Sequence, residues 1–335
     1  MTVRFGVLGA GRIGQVHARA IAATQGATLV AIADPVAEAA RKAQAAFGGD
    51  IRDIDTILGS ADIDAVVICT PTDTHADLIE RAARAGKGIF CEKPVDLDVG
   101  RVQDCLAVVQ QTGATLMVGF NRRYDPDFMA LKAAVDAGRV GAVEMVTITS
   151  RDPGPPPADY ITRSGGIFRD MTIHDFDIAR WLLGEEIETV FASASCLVDP
   201  EIGRLGDYDT ANIILRTTRG TQATINNTRR AAYGYDQRIE VHGALGAASV
   251  GNTHLSRIEV ATAEGFIRPP LLDFFMTRYT AAYAAEIAEF VSALTEGRAP
   301  RTNGHDGLMA LVLAEAAVRS ARDGSVIAVA DILGA

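Results

Sequence analysis

Short apolar runs alternate with amphipathic stretches through the first 137 residues. Val3–Leu8, Thr28–Ala33, Ala65–Thr70, Gly88–Cys91 and Thr115–Gly119 are brief and rich in apolar side chains, which predicts buried strands. Between and after them, Ile13–Ala23, Thr74–Ala85, Asp98–Thr112 and Asp125–Ala137 carry apolar residues at helical spacing. Strand–helix repetition predicts a parallel sheet covered on both faces, with ligands at the carboxyl ends of its strands.

The pattern changes near Val143. Val143–Ser150 reads as a strand, and 153–157, with four prolines, as a loop. A mostly apolar helical stretch from Ser164 to Leu182 follows. Then β-like runs dominate, at Thr189–Leu197, Thr210–Thr217, Gln222–Thr228, Arg238–His242 and Arg257–Thr262, before helices return at Phe274–Thr295 and Asp306–Arg322. The expected class is α/β: a parallel sheet covered on both faces, followed by long antiparallel stretches that suggest an open sheet with one face covered. One face of that sheet is free to pack against another subunit.

Composition narrows the partners. The chain has 335 residues, 48% apolar and 22% charged, as expected for a globular protein with a large core. A net charge of -10 argues against nucleic acid. No run of 18 apolar residues exists and no signal peptide is legible, so no membrane association and a cytoplasmic location are expected. Cys69, Cys91, Cys105 and Cys196 lack paired or zinc-site spacing, and read as free thiols with no metal.

Directly after the first strand comes Gly9-Ala10-Gly11-Arg12-Ile13-Gly14, which is G-x-G-x-x-G. The glycines by themselves are weak evidence in a chain with 32 of them. The context of strand, motif, helix, second strand and then Asp34 makes the signal strong. Gly9 permits the tight turn, Gly11 lets backbone approach a pyrophosphate, and Gly14 lets helix pack on strand. The helix N-terminus offers N–H groups to phosphates, and Asp34 accepts hydrogen bonds from the adenosine ribose. No Arg or Lys stands beside Asp34, so NAD is expected over NADP. Other strand ends carry Thr70-Pro71-Thr72-Asp73-Thr74-His75, Glu92-Lys93-Pro94 and Asn121-Arg122-Arg123.

In the central stretch Asp170, His174 and Asp177 stand at i, i+4 and i+7, one face of a helix. Taken singly, such a pair is more often a first-turn carboxylate with a satisfied core histidine. Gly165 and Gly166 just before it allow a close approach of backbone to another group. Tyr235 could reach a cleft or simply sit at a sheet edge; the two readings weigh about equally.

Taken together, GAGRIG, the Glu92-Lys93-Pro94 turn and the Asp170/His174 helix resemble the Gfo/Idh/MocA oxidoreductases over essentially the whole chain. The stretches ICTPTDTHADLIERAARAGKGIFCEKP, VGFNRRYDPDF, TITSRDPGPPP and SGGIFRDMTIHDFD are similar to bacterial members that oxidise inositols. The resemblance implies two domains, a Rossmann domain over 1–120 and, over 121–335, an α/β domain with a large open, mostly antiparallel sheet, and it implies Lys93, Asp170 and His174 as the catalytic group. It implies cofactor contacts at Gly9, Gly11, Arg12, Ile13, Gly14, Asp34, Thr70, Pro71, His75, Glu92 and Lys93. It implies polyol contacts at Lys93, Arg123, Asp170, His174, Asp177 and Tyr235, a small polyol as partner, and a homotetramer formed through the open sheet. Elementary chemistry agrees, since oxidising a secondary alcohol sends a hydride to the nicotinamide and a proton to a base. A histidine can alternate between its protonation states near neutral pH. Competing readings are a non-catalytic dinucleotide sensor, an oxidoreductase of another sugar using NADP, and a glycoside hydrolase using NAD transiently.

Overall fold

The computed structural model describes residues 2–334. They group into two units: the described part of 1–125 together with 281–311, and 126–280 together with the described part of 312–335. The expected single boundary near residue 120 therefore misses that 281–311 packs with the N-terminal unit. The local apolar pattern of a helix says that it is covered, not which core covers it.

The first unit is built on a parallel sheet of β1 (Val3–Leu8), β2 (Ala27–Ala33), β3 (Asp50–Ile51), β4 (Ala65–Ile68), β5 (Gly88–Glu92) and β6 (Leu116–Gly119). Their spatial order is β3-β2-β1-β4-β5-β6. Strands β4 and β6 are buried at every position, as continuous apolar runs in a doubly covered sheet must be. The order reverses between β1 and β4, and the loops after these two strands hold the glycine motif and the Thr70 turn. Helices Ala37–Phe47 and Ile54–Gly59 are additional to the elements expected from the pattern.

The second unit holds a seven-stranded sheet of β7 (Val143–Arg151), β8 (Ile187–Ser195), β9 (Thr210–Thr217), β10 (Gln222–Thr228), β11 (Asp236–Gly243), β12 (Gly246–Val250) and β15 (Ile327–Ala328). Its order is β12-β11-β7-β10-β9-β8-β15, antiparallel except for β7 with β10. Burial alternates strictly along β9, so that Ala211, Ile213 and Leu215 face the core while Asn212, Ile214 and Arg216 face outward. The run expected at Arg257–Thr262 lies outside this sheet. Its end, β13 (Val260–Thr262), pairs with β14 (Gly265–Ile267) in a separate two-stranded sheet. No helix among the described residues is long and apolar enough to cross a membrane.

Candidate active site

The glycine motif has the geometry its spacing requires. Gly9 sits at φ +95°, and a Cβ there would lie 2.6 Å from the Cys69 carbonyl oxygen. A Cβ on Gly14 would lie 1.9 Å from the Gly9 carbonyl oxygen, so helix Arg12–Ala23 approaches the turn as only glycine allows. Gly11 differs: a Cβ there meets nothing within 4 Å. It precedes an uncapped helix whose first N–H groups have no side-chain acceptor. A pyrophosphate would fit that cradle, where the amides of the first turn, those of Arg12 and Ile13 among them, could hold it. Asp34 ends β2, its Oδ2 accepting from the Ala10 N–H at 2.6 Å and its Oδ1 from the Val36 N–H at 2.7 Å. The carboxylate thus braces the turn.

Two residues expected beside the cofactor, His75 and Glu92, have buried side chains bonded within the protein. His75 is 2% exposed, with Nδ1 2.8 Å from the Pro94 carbonyl oxygen and Nε2 2.8 Å from that of Thr70. It ties the turn after β4 to the turn after β5, and so positions Thr70, Pro71 and Lys93. Glu92 directs Oε1 to His17 Nε2 at 2.6 Å. Lys93 follows β5 and precedes Pro94 through a cis peptide bond.

His17 has no counterpart in the sequence reading. It stands three residues after Gly14 on the buried face of that helix, fully enclosed, with its ring 4.8 Å from Phe90 and edge-on to Tyr283 at 5.5 Å. Its Nδ1 lies 3.9 Å from Glu286 Oε1, a carboxylic acid wholly buried with neither oxygen hydrogen-bonded. A polar residue inside the apolar stripe of a helix was the available signal for His17; Glu286 lies too far along the chain for any local one. Burial, and then the Glu92 charge, push the Glu286 carboxyl well above its ordinary range.

That arrangement has a measurable consequence. The folded chain holds the Glu286 proton to higher pH than the unfolded chain does. Its contribution to stability is therefore complete at low pH and is lost as pH rises toward the folded value, by about 1.4 kcal/mol per pH unit. The titratable groups that interact with it include His17, Glu92, Cys69 and Tyr124. Glu286→Gln removes this dependence, so its melting temperature relative to the parent should increase steadily from pH 5 to pH 8. A constant difference in melting scans across that range would show Glu286 to be ionised when folded.

In the second unit, residues 166–183 are helical, with a π-helical turn at Phe168–Thr172 leading into the α-helix Ile173–Leu183. π turns are rare and concentrate at functional sites. Asp170 lies in the wide turn and His174 just after it, and the change of pitch is not readable from i, i+4 spacing. The helix is anchored to the sheet by a buried chain of bonds. Thr172 Oγ1 donates to Asn227 Oδ1 at 2.6 Å, and Asn227 Nδ2 donates to Asp175 Oδ2 at 2.9 Å. Asp175 is thus a structural acid beside the two proposed catalytic groups, and Asp177 on the same helix is 1% exposed.

Asp170 is gripped at both oxygens. Tyr160 Oη donates to Oδ1 at 2.8 Å, and Arg229 Nη2 lies 3.3 Å from Oδ2. Gly166, at φ +85°, makes a close approach to Asp207: a Cβ there would be 2.6 Å from Asp207 Oδ1. Tyr235 is buried in an aromatic cluster, edge-on to Phe274 at 5.5 Å and Tyr279 at 6.1 Å. Arg123 belongs to the first unit, where Nη2 bonds Asp306 Oδ1 at 2.9 Å and Nη1 the Arg301 carbonyl at 3.3 Å. All four cysteines are free. Burial raises the Cys69 and Cys91 thiols well above their ordinary range and Cys105 to about 12, so these three are inert packing residues.

A pyrophosphate cradle at the reversal of a parallel sheet, with an acid bracing the turn, defines a dinucleotide-binding protein, and a carboxylate–imidazole pair on a second unit suits oxidoreductase chemistry. Comparison with known proteins makes this specific. Residues 3–120 match the oxidoreductase family with an NAD-binding Rossmann fold, and residues 128–249 match the GFO/IDH/MocA C-terminal domain. The chain belongs to the GFO/IDH/MocA oxidoreductase family. It is 62% identical to the inositol 2-dehydrogenase of Rhizobium meliloti over 98% of this chain and 100% of that one. A crystal structure of a myo-inositol dehydrogenase from Corynebacterium glutamicum superposes with a TM-score of 0.94 at 42% identity, covering 98% of this chain and 99% of that one. The scyllo-inositol dehydrogenase of Lactobacillus casei, solved with NAD(H) and scyllo-inositol, gives a TM-score of 0.92 at 31% identity, covering 98% and 100%.

Proposed function

We propose that this chain oxidises myo-inositol at its axial hydroxyl to 2-keto-myo-inositol (scyllo-inosose), with NAD as the oxidant. The full-length similarity to an inositol 2-dehydrogenase at 62% identity carries the reading. Bound NAD supplies the carbon that receives the hydride. His174 acts as general base and takes the hydroxyl proton. Asp170 orients the imidazole and stabilises its cation. Lys93, as ammonium, holds the substrate oxygen and stabilises charge developing on it. Asp177, Arg123 and Tyr235 are assigned to the remaining hydroxyls. A site of many donors and acceptors suits a ligand with hydroxyls all round, and rejects analogues lacking them.

The test is the initial rate across inositol isomers, aldoses and linear polyols, with NAD and with NADP. Myo-inositol with NAD should lead, because a carboxylate fixed by two amides at Asp34 repels a 2′-phosphate. An aldose faster than every inositol by about tenfold would overturn the substrate, and equal efficiency with NADP would overturn the cofactor preference. A lead for scyllo-inositol would favour the second reading, which the Lactobacillus casei neighbour supports.

We also assign homotetramer formation to the outward face of the seven-stranded sheet, where Met145 and Ile214 are 52% and 45% exposed. Light scattering should give a tetramer's mass, reduced in a Met145→Asp/Ile214→Asp double variant. A single-chain mass for the parent protein would refute the assignment.

A further inference from the structure

Arg229 is the largest fully enclosed side chain among the described residues, 1% exposed, and the chemistry above does not use it. It follows β10, where its N–H donates to the Asp209 carbonyl oxygen at 2.8 Å. Its Nη2 lies 3.3 Å from Asp170 Oδ2 and 4.0 Å from Asp207 Oδ2. Among the described residues its Nε has no hydrogen-bond partner, and neither does Asp207 Oδ2. Burying a guanidinium costs several kcal/mol unless good geometry and further hydrogen bonds offset it. Here one long contact and an unpartnered Nε make the cation a poor device for stability. Its position, between two carboxylates of which one is Asp170, calls for another explanation.

Asp207 supplies it. Its Oδ1 accepts from the Ile167 N–H at 2.9 Å, at the start of the helix that carries Asp170 and His174. Gly166 leaves room for that carboxylate where any Cβ would collide. The helix start is therefore pinned by Asp207, while Asp170 is pinned from below by Arg229 and from outside by Tyr160. With a donor on each oxygen, Asp170 can only accept, and its carboxylate plane is fixed. Burial raises the Asp207 carboxyl above its usual range.

We propose that Arg229 is a positioning residue for the reaction: a buried cation, braced by Asp207, that fixes the orientation of Asp170 and through it the imidazole of His174. The inference rests on the catalytic reading of Asp170. A residue acting through Asp170 should matter only while Asp170 is intact, whereas a merely structural residue should matter in either background.

The experiment is a double-mutant cycle on the full chain with myo-inositol and NAD, combining Arg229→Gln with Asp170→Asn. Arg229→Gln should lower kcat by about 10- to 100-fold, the effect of a misplaced catalytic group. The NAD dissociation constant should stay within about twofold. In the Asp170→Asn background the same substitution should cost less than about threefold further. Arg229→Lys, which keeps the charge, should retain more turnover than Arg229→Gln, and it decides the matter if the glutamine variant does not fold. Equal losses from Arg229→Gln in both backgrounds, or unchanged turnover in it, would overturn the inference and leave Asp170 in place. Normal turnover in Asp170→Asn by itself would overturn the reading of Asp170 and this inference with it.

Discussion

Replacing His174 by alanine should reduce kcat by about 100- to 10,000-fold while NAD still binds, because a general base acts in the transition state and not on the bound cofactor. His174 follows a π-helical turn that begins beside the Asp207 brace, and the helix behind it is bonded to the sheet through Thr172, Asn227 and Asp175. None of those bonds uses the imidazole, so its removal should leave the helix in place. Turnover in the parent enzyme should rise with pH as the imidazole gives up its proton, and this rise should vanish in the alanine variant. Steady-state kinetics, with NAD titrated separately by calorimetry, measures both quantities. Near-normal turnover would make His174 a core histidine and return the site to its simplest structural reading.

The second large effect separates two glycines of one motif. Gly14→Ala places a methyl group 1.9 Å from the Gly9 carbonyl oxygen, which is backbone and cannot swing aside. Gly9 is itself fixed at φ +95° against the Cys69 carbonyl, so the turn and the helix must move apart. The expected cost is at least about 3 kcal/mol of stability, with NAD affinity lost as well. Gly11→Ala adds the same methyl group where nothing lies within 4 Å, at φ −64°, a conformation alanine adopts freely. It should fold and melt like the parent, yet bind NAD at least about tenfold more weakly, because the methyl group occupies the cofactor's space. Melting scans and calorimetric titrations of both variants check the pair. If Gly11→Ala bound NAD normally, the pyrophosphate would not lie over that turn.

Strands β1, β2 and β4–β6 were readable because they are largely buried in a doubly covered sheet, whereas β3, exposed at both residues, and the helices Ala37–Phe47 and Ile54–Gly59 were missed. Burial then writes itself into every third or fourth residue of a helix and into every residue of a central strand. The glycine motif was readable for a related reason: Gly9 and Gly14 answer local backbone needs. Strands β7 and β9–β11 were readable from alternation, but β12 was missed, since Gly246–Val250 lacks a strong apolar face.

What the chain determined by itself was the class of fold, the dinucleotide cradle and the candidates Lys93, Asp170 and His174. Each of these depends on residues close together in sequence or on motifs with fixed spacing. Only the tertiary structure decided that 281–311 packs with the N-terminal unit, that Glu92 turns inward to His17, and that Gly166 makes room for Asp207. The same holds for the clamp on Asp170, whose donors stand 10 residues before it and 59 residues after it. A buried charge must find a partner, but the need is satisfied in space by whichever segment the sheet order brings near, and periodicity holds no record of that choice.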